Sequence, residues 1–464
     1  MTQIRTDVIV VGGGIAGLTA AHELAKAGVD FRLLESTEHW GGLIKSERIG
    51  GFLLDAGPDT LLAHRPEAID LCRELGLGDR LVPARPTPCP THVVHGGRLH
   101  TLPEGMSLGV PTRLAPLVAT RLFSWPGKLR MAMEITKPAR RDGADESIAS
   151  FFRRRLGDEA LELIGDPLLA GIHGGDAERL SLQSTFPALQ DMEARHGSLI
   201  RAMWAARRSG RSGSFFTLPE GLQELVQALL ARLPKAHLHR GARVRSVSRD
   251  HDGMRVECAD GDTIRAGAVV LAASLWETAR LLVMEAPAAA GALSSLRFSS
   301  SATVFLGYRR ADVAHPLDGH GLVIPRHEGL RTRACTFVSS KYPGRAPNGY
   351  VLLKGYLGGL RGTEAMGQSD ADLARVFEDE MRGLLGVSGP RVLARVYRWP
   401  GASPQMEVGH AALRRAVEDA LASTPGLFVI GSGLRGSGLP NSIADGRRAA
   451  AAAVATLAEQ LVEA

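Results

Sequence analysis

Three glycines and one acid are the residues whose spacing first points to chemistry. Gly12-Gly13-Gly14-Ile15-Ala16-Gly17 has the pattern G-x-G-x-x-G, and Glu35 follows roughly 20 residues later. In such a pattern Gly12 permits a tight turn, Gly14 lets a pyrophosphate approach the backbone, and Gly17 lets a helix press on the preceding strand. The helix N-terminus at Ile15 and Ala16 offers free N–H groups and a partial positive charge to phosphates. Glu35 can accept both hydroxyls of a ribose. The chemistry is the holding of a dinucleotide. The hexapeptide alone also describes a glycine turn that binds nothing. The order strand, glycines, helix, strand and acid selects the binding reading, without separating NAD from FAD.

The elements around these residues are legible. Asp7-Val8-Ile9-Val10-Val11 is a short β-branched strand without alternation, as burial on both faces requires. A helix from Leu18 is apolar at Leu18, Ala21, Leu24 and Ala25 and ends near Gly28, and a second strand runs from Phe31 to Glu35. Downstream, Pro66 to Leu75 reads as a helix, proline-rich Pro83 to Pro90 as an extended linker, and Thr91 to Leu102 as a hairpin around Gly96-Gly97. Leu108 to Arg141 mixes apolar and basic residues; it reads as a helical lobe with an Arg surface or, alternatively, as a lobe touching a membrane surface. Ser147 to Leu156, Ser181 to Arg208 and Leu222 to Leu233 read as helical, with a Gly-rich stretch from Pro167 to Asp176 between the first two. A strand at Ala242 to Val247, a hairpin of Met254 to Cys258 with Thr263 to Arg265, and a buried strand at Ala268 to Ala273 come next. The stretch from Ser299 to Tyr356 is mostly β. It is followed by a helix (Asp370 to Leu385), strands (Arg391 to Trp399 and Leu427 to Gly431), a loop (Gly436 to Asn441) and a last helix (Ile443 to Leu457).

With 464 residues and 44% hydrophobic content, the chain can form two or three domains with a large core. Neither a signal peptide nor a membrane span is expected, and the alanine tail from Ala449 reads as a packed helix. Cys72, Cys89, Cys258 and Cys335 have no metal-ligand spacing, so neither disulfides nor a metal is expected, and a reducing cytoplasm fits. The net charge of +6 reads either as ordinary solvated arginine or as complementarity to an acidic substrate or an anionic membrane face. Nucleic acid is not expected as a partner, because the basic residues are scattered and aromatics make up only 5%.

Gly41-Gly42 and Asp55-Ala56-Gly57-Pro58-Asp59 after Glu35 resemble the two-dinucleotide-domain flavoproteins of the amine oxidase group. Further motifs narrow this: Leu102-Pro103-Glu104-Gly105, Phe151 to Asp158, Pro167 to Ile172, Thr185-Phe186-Pro187, Arg398-Trp399, Pro404-Gln405, Gly409-His410 and Gly438-Leu439-Pro440. Over nearly its whole length the chain resembles the HemY-type protoporphyrinogen and coproporphyrinogen oxidases of heme synthesis. The resemblance implies an α/β Rossmann-type two-dinucleotide-binding fold with a mixed α+β substrate domain and a helical lobe. It divides the chain into an FAD domain (1–85, 235–290 and 420–464), a substrate domain (86–104, 210–234 and 291–419) and the lobe (105–209). It implies non-covalent FAD held by the glycine turn and Glu35 and also by Ser36, Gly41, Gly42, Leu43, Gly57, Pro58, Asp59, Thr60, Val244, Trp399, Gly431, Gly438, Leu439 and Pro440. It implies oxidation of a porphyrinogen by oxygen in three two-electron rounds, with hydrogen peroxide formed, by a monomer or homodimer with at most peripheral membrane contact.

Where the protoporphyrinogen type carries an Arg, this chain has Thr91, as in the soluble coproporphyrinogen III type, whose substrate bears four propionates. Arg65, Arg98 and Arg435 are then the candidate partners for those carboxylates. A backbone carbonyl near the substrate ring maps to Gly171. The chain departs from the family pattern at His173, Met406, Asn441-Ser442 and Leu434-Arg435. His173 is either a packed histidine or a base or proton relay, for which an unperturbed imidazole is suited. These departures leave open a second function, the dehydrogenation of another amine or ring by the same FAD frame in secondary metabolism.

Overall fold

The computed structural model describes residues 3–85, 90–208, 215–251, 253–360 and 362–463. Cys89 and part of the proline-rich linker lie outside them; Cys72, Cys258 and Cys335 are buried free thiols.

The first strand, Gln3–Val11, is central to a seven-stranded sheet. Val8, Ile9 and Val10 have no exposed surface, which explains the unbroken apolar run. It lies parallel to Phe31–Leu34 on one side and to Thr263–Leu271 on the other, and Leu427–Val429 joins the latter in parallel. The hairpin arm at Thr263 and the buried strand at Ala268 are therefore one strand, not two. Its residues alternate in burial while it forms the antiparallel arm and are continuously buried once it enters the core. The helices Ile15–Lys26 and Leu439–Glu463 pack on one face. The last helix thus starts at Leu439 rather than Ile443, with Pro440 in its first turn, where a missing N–H costs nothing. Gln223–Ala231 buries Leu225, Val226 and Leu229 in this same core, across the boundary drawn at 234 from the sequence.

A second seven-stranded sheet runs Leu393–Pro404, Phe298–Arg309, Tyr350–Gly358, Thr332–Phe337, Gly321–Val323, Thr91–His95 and Arg98–Thr101. Asp370–Leu385 covers one face through Leu373, Phe377 and Met381. Toward the opposite side lie the 52–60 segment and the helical lobe.

One lobe element differs from the sequence reading, and another is helical as read but divided. Leu161–Ala170 is a π-helix that runs through Pro167, so the Gly-rich stretch is helical up to Ala170. Its wider turn tolerates a residue that has no N–H to donate. The stretch from Ser181 to Arg208 forms three helices, Leu182–Thr185, Pro187–His196 and Leu199–Arg208, divided at Pro187 and at Gly197. Of the apolar residues in the 108–141 region, Val118, Trp125 and Leu129 are more than half exposed. Among the described residues, no helix is long and apolar enough to cross a membrane.

Candidate functional site

The glycine turn has the geometry its sequence demands. Gly12 sits at φ +113°, and a Cβ there would lie 2.7 Å from the Ala272 carbonyl oxygen. A Cβ on Gly17 would come within 1.9 Å of the Gly12 oxygen, so only glycine allows this helix to lie so close to the strand. Gly14 is the helix N-cap, no side chain caps the helix, and a Cβ on Gly14 would meet nothing within 4 Å. The first-turn N–H groups of Ile15–Lys26 thus open onto free space, as a phosphate-binding helix end requires.

Glu35 closes this cradle. Its Oε2 accepts the Gly13 N–H at 2.7 Å, and its Oε1 accepts the Thr37 N–H and hydroxyl, each at 2.8 Å. A carboxylate retains further acceptor capacity for a ribose. Ser36 beside it is exposed. Gly41 donates its N–H to the Gly13 oxygen at 2.8 Å, and a Cβ on Gly42 would lie 3.2 Å from the Gly14 Cα, so the second glycine pair runs along the first turn. Both have positive φ. Leu43, next in line, is 44% exposed. These features fit a dinucleotide: an open backbone cradle, an uncapped helix end and an ionisable ribose acceptor.

The turn Gly57-Pro58-Asp59-Thr60 rests on buried charge. Lys354, 1% exposed, donates to the Asp55 and Gly57 carbonyls at 2.8 and 2.7 Å. Lys341 lies 3.2 Å from Asp59 and donates to Thr60 at 2.7 Å. Burial alone would raise the Asp59 carboxyl, but the two ammonium groups outweigh it and hold it well below the usual carboxylate range. Trp399 Nε1 donates to the Thr303 hydroxyl at 3.2 Å, and Thr303 donates to the Ala56 carbonyl at 2.9 Å, tying the second sheet to this turn. Lys341 and Lys354 escaped the sequence reading. The one signal, for Lys354 alone, is a lysine set within the apolar run Tyr350 to Leu357.

Gly431 follows the strand Leu427–Val429 at φ +122°, and Gly438 precedes the final helix at φ +86°. Leu439 and Pro440 form the first residues of that helix. A Cβ on Gly446 would lie 2.5 Å from the Ala16 oxygen, so the two helices cross close to the glycine turn. Val244 is buried at the start of Val244–Asp250, and its carbonyl accepts from Arg280 at 2.9 Å.

Gly171 ends the π-helix, and its carbonyl accepts the Gly174 N–H at 3.0 Å. His173 is 7% exposed. Its Nδ1 lies 3.3 Å from the Ser437 hydroxyl, its ring meets Phe186 edge-on, and its carbonyl accepts from Ser403 and Gln405. Burial pulls its imidazole down to about 4, so it is neutral near pH 7. Ser437 brings His173 within reach of the Gly431–Gly438 loop, a proximity the sequence did not reveal.

The candidate carboxylate partners are not brought together. Arg435 turns away to Glu418 at 2.7 Å and the Val429 carbonyl at 3.4 Å, which removes it as a free cation at a substrate mouth. Arg98 is exposed and pairs opposite His95 at the turn end of its hairpin, whereas Thr91 lies at the other end, bonded through its carbonyl to Leu102. A strand rise of about 3.4 Å per residue separates the two by more than 10 Å. Arg65 is held by Asn441 at 2.7 Å and lies 3.5 Å from Glu67. The clustering expected from the sequence fails because most of these guanidinium groups already have internal partners.

Residues 15–454 match the family model described as flavin containing amine oxidoreductase. The chain is 34% identical to the coproporphyrinogen III oxidase of Bacillus subtilis, over 98% of this chain and the whole of that protein. It is 33% identical to the coproporphyrinogen III oxidase of Propionibacterium freudenreichii subsp. freudenreichii, over 96% of this chain and 90% of the relative. A crystal structure of a putative protoporphyrinogen oxidase from an Exiguobacterium species superposes with a TM-score of 0.85 at 28% identity, over 97% of this chain and 98% of the other. The α/β fold with its open glycine cradle, matched over nearly the whole length, makes this chain a member of the flavin-containing amine oxidoreductase family.

Proposed function

We propose that this chain is an FAD-dependent porphyrinogen oxidase whose preferred substrate is coproporphyrinogen III, with oxygen as acceptor and hydrogen peroxide as product. The observation that carries the reading is the nearly end-to-end match to two coproporphyrinogen III oxidases at 34% and 33% identity, against 26% and 29% for two protoporphyrinogen oxidases of Arabidopsis thaliana, although a third coproporphyrinogen III oxidase, from Staphylococcus aureus, stands at 28%. Thr91, in place of an Arg, agrees with it.

In this reading Gly12 to Gly17 and the first helix end hold the pyrophosphate, and Glu35 with Ser36 holds the adenosine ribose. Val244 would lie beside the adenine. Gly41, Gly42, Leu43, the Gly57–Thr60 turn, Trp399, Gly431 and Gly438 to Pro440 line the remainder of the cofactor. FAD, once bound, supplies the two-electron acceptor that oxygen regenerates. The protein orients the porphyrinogen, excludes water and gives each departing proton a destination. The Gly171 carbonyl, which already accepts the Gly174 N–H, would turn its remaining acceptor capacity to the ring. His173, held neutral, can accept a proton at a ring nitrogen. Lys341 and Lys354 keep the Gly57–Thr60 turn fixed.

Anaerobic mixing with each porphyrinogen tests the reading. Coproporphyrinogen III is expected to bleach the bound flavin faster than protoporphyrinogen IX. The reverse order would move the assignment to the protoporphyrinogen type, and no bleaching by either would remove porphyrinogens as substrates.

A further inference from the structure

Away from the glycine cradle, the tip of the hairpin Thr91–His95/Arg98–Thr101 collects side chains that the proposed reaction does not use. Glu328 ends a short helical turn, Arg326–Glu328, and its carboxylate straddles the hairpin turn: Oε1 accepts the Gly96 N–H at 2.7 Å and Oε2 the Gly97 N–H at 2.9 Å. Two imidazoles face the same oxygen. His327 Nε2 lies 3.3 Å from Oε1 and His95 Nδ1 3.8 Å from it, and all three atoms lie within 4.8 Å of one another. His95 Nδ1 is shielded from water and has no hydrogen-bond partner. A third ring, His100, stands 5.9 Å from His95, centroid to centroid.

These separations are those of a coordination sphere. A four-coordinate ion with ligand distances of about 2.0–2.2 Å places its donor atoms roughly 3.3–3.6 Å apart. The two measured distances to Glu328 bracket that range. Glu328 is also oriented as a metal ligand should be, by the amides of Gly96 and Gly97 behind it. Two imidazoles and a carboxylate suit zinc, nickel or copper rather than magnesium or calcium, which take oxygen donors.

We propose that His95, His327 and Glu328 form a binding site for one late first-row divalent cation, which clamps the 326–329 segment to the hairpin. The coordination position left over faces solvent, since the His95 and His327 side chains are 43% and 41% exposed. A second cluster, His92, His315 and Asp318, is a poorer candidate: His315 Nδ1 already accepts the Leu317 N–H at 3.0 Å. The linear sequence hides the site because His95 lies more than 200 residues from the adjacent His327 and Glu328.

The test uses the purified full-length chain with its flavin, free of any histidine tag and stripped with a chelator. Zinc chloride is titrated by calorimetry, and cobalt(II) chloride is followed by visible absorption. The expected result is one equivalent bound, a cobalt spectrum of four- or five-coordinate type, and a zinc-dependent rise in Tm. His95→Ala and His327→Ala change exposed side chains and should fold normally; each should weaken binding by more than about tenfold, because loss of a ligand costs no less than loss of an outer-shell partner. Glu328→Gln, which keeps an acceptor for the turn amides, should do the same. Absence of stoichiometric binding by the parent overturns the proposal. So does binding that persists unchanged in the His95→Ala/His327→Ala double variant, which would place the ion elsewhere.

Discussion

Glu35 has more work than the glycine fingerprint implies. Its two oxygens already hold the Gly13 N–H and the Thr37 N–H and hydroxyl, so it shapes the cradle in addition to the ribose contact proposed for it. Glu35→Ala should therefore weaken FAD by about 10- to 100-fold, the equivalent of ~1.5–3 kcal/mol for a hydrogen bond to a charged group. Glu35→Gln, which can still accept one of these donors, should lose less. Fluorescence titration of the apoprotein with FAD measures both, and equal affinity in all three proteins would mean that the acid does not touch the cofactor. His173 carries a different kind of prediction. Burial lowers its imidazole to about 4, against an ordinary value near 6.5. The unfolded chain thus binds the proton first as pH falls, and the stability linked to His173 is complete above about 6.5 and shrinks as pH drops toward 4. His173→Gln should flatten the dependence of unfolding free energy on pH in that window by up to one proton. An unchanged slope would mean that the ring is solvated. The catalytic rate should show no step near pH 6.5 from this residue.

At the scale of elements, periodicity was enough for whatever buries one stripe or alternates across one sheet. Asp370–Leu385 has the bounds read from its apolar repeat, and the Thr91 hairpin turns at Gly96-Gly97 as its glycines demand. Elements held by tertiary contacts were not legible in this way. The π-helix through Pro167 breaks a local rule, and nothing in the local pattern signals the wider turn. Lys354 interrupts an apolar strand; its meaning is the Asp55 and Gly57 carbonyls it reaches nearly 300 residues away in sequence. The same holds in the lobe, where Arg155 and Glu134 are fully buried as a pair. Glu134 also accepts the Ser198 hydroxyl at 2.6 Å and the Leu199 and Ile200 N–H groups at 2.8 and 3.2 Å, so one carboxylate caps the helix Leu199–Arg208 and anchors another through Arg155. Glu134→Gln removes one of the two carboxylates on the buried Arg155, which keeps Glu193 at 3.4 Å and the Lys137, Pro138 and Gly197 carbonyls, and should destabilise the lobe by ~1–3 kcal/mol, the cost of a lost charged hydrogen bond. Hydrogen exchange within Ile148–Arg155 and Leu199–Arg208 would report it. Glu134→Gln/Arg155→Met should recover part of the loss, because it removes a buried cation left with Glu193 as its one carboxylate, whereas no recovery would mean that the capping contacts dominate.

For the whole molecule, the +6 charge admits two readings, solvated arginine or attraction of an acidic substrate, and the fold changes their balance. Many arginines are consumed locally: Arg153 by Glu178, Arg179 by Glu407, Arg435 by Glu418. Individual cations expected at a mouth are thereby accounted for, but the net excess is not, and it acts at a distance. A positive field raises the encounter rate of an anionic ligand without needing any one contact, and salt screens it over a Debye length of about 10 Å at 0.1 M. If recognition of the four-carboxylate porphyrinogen rests on this field, kcat/KM for coproporphyrinogen III should fall as ionic strength rises. Its logarithmic slope should be about twice that for the two-carboxylate protoporphyrinogen IX, in proportion to ligand charge. The kcat values, measured at saturation, should not move. Steady-state rates for both substrates across a salt series decide it. Equal slopes would mean that selectivity resides in short-range contacts inside the pocket, and Thr91, at the end of its hairpin opposite Arg98, would then be the first position to substitute.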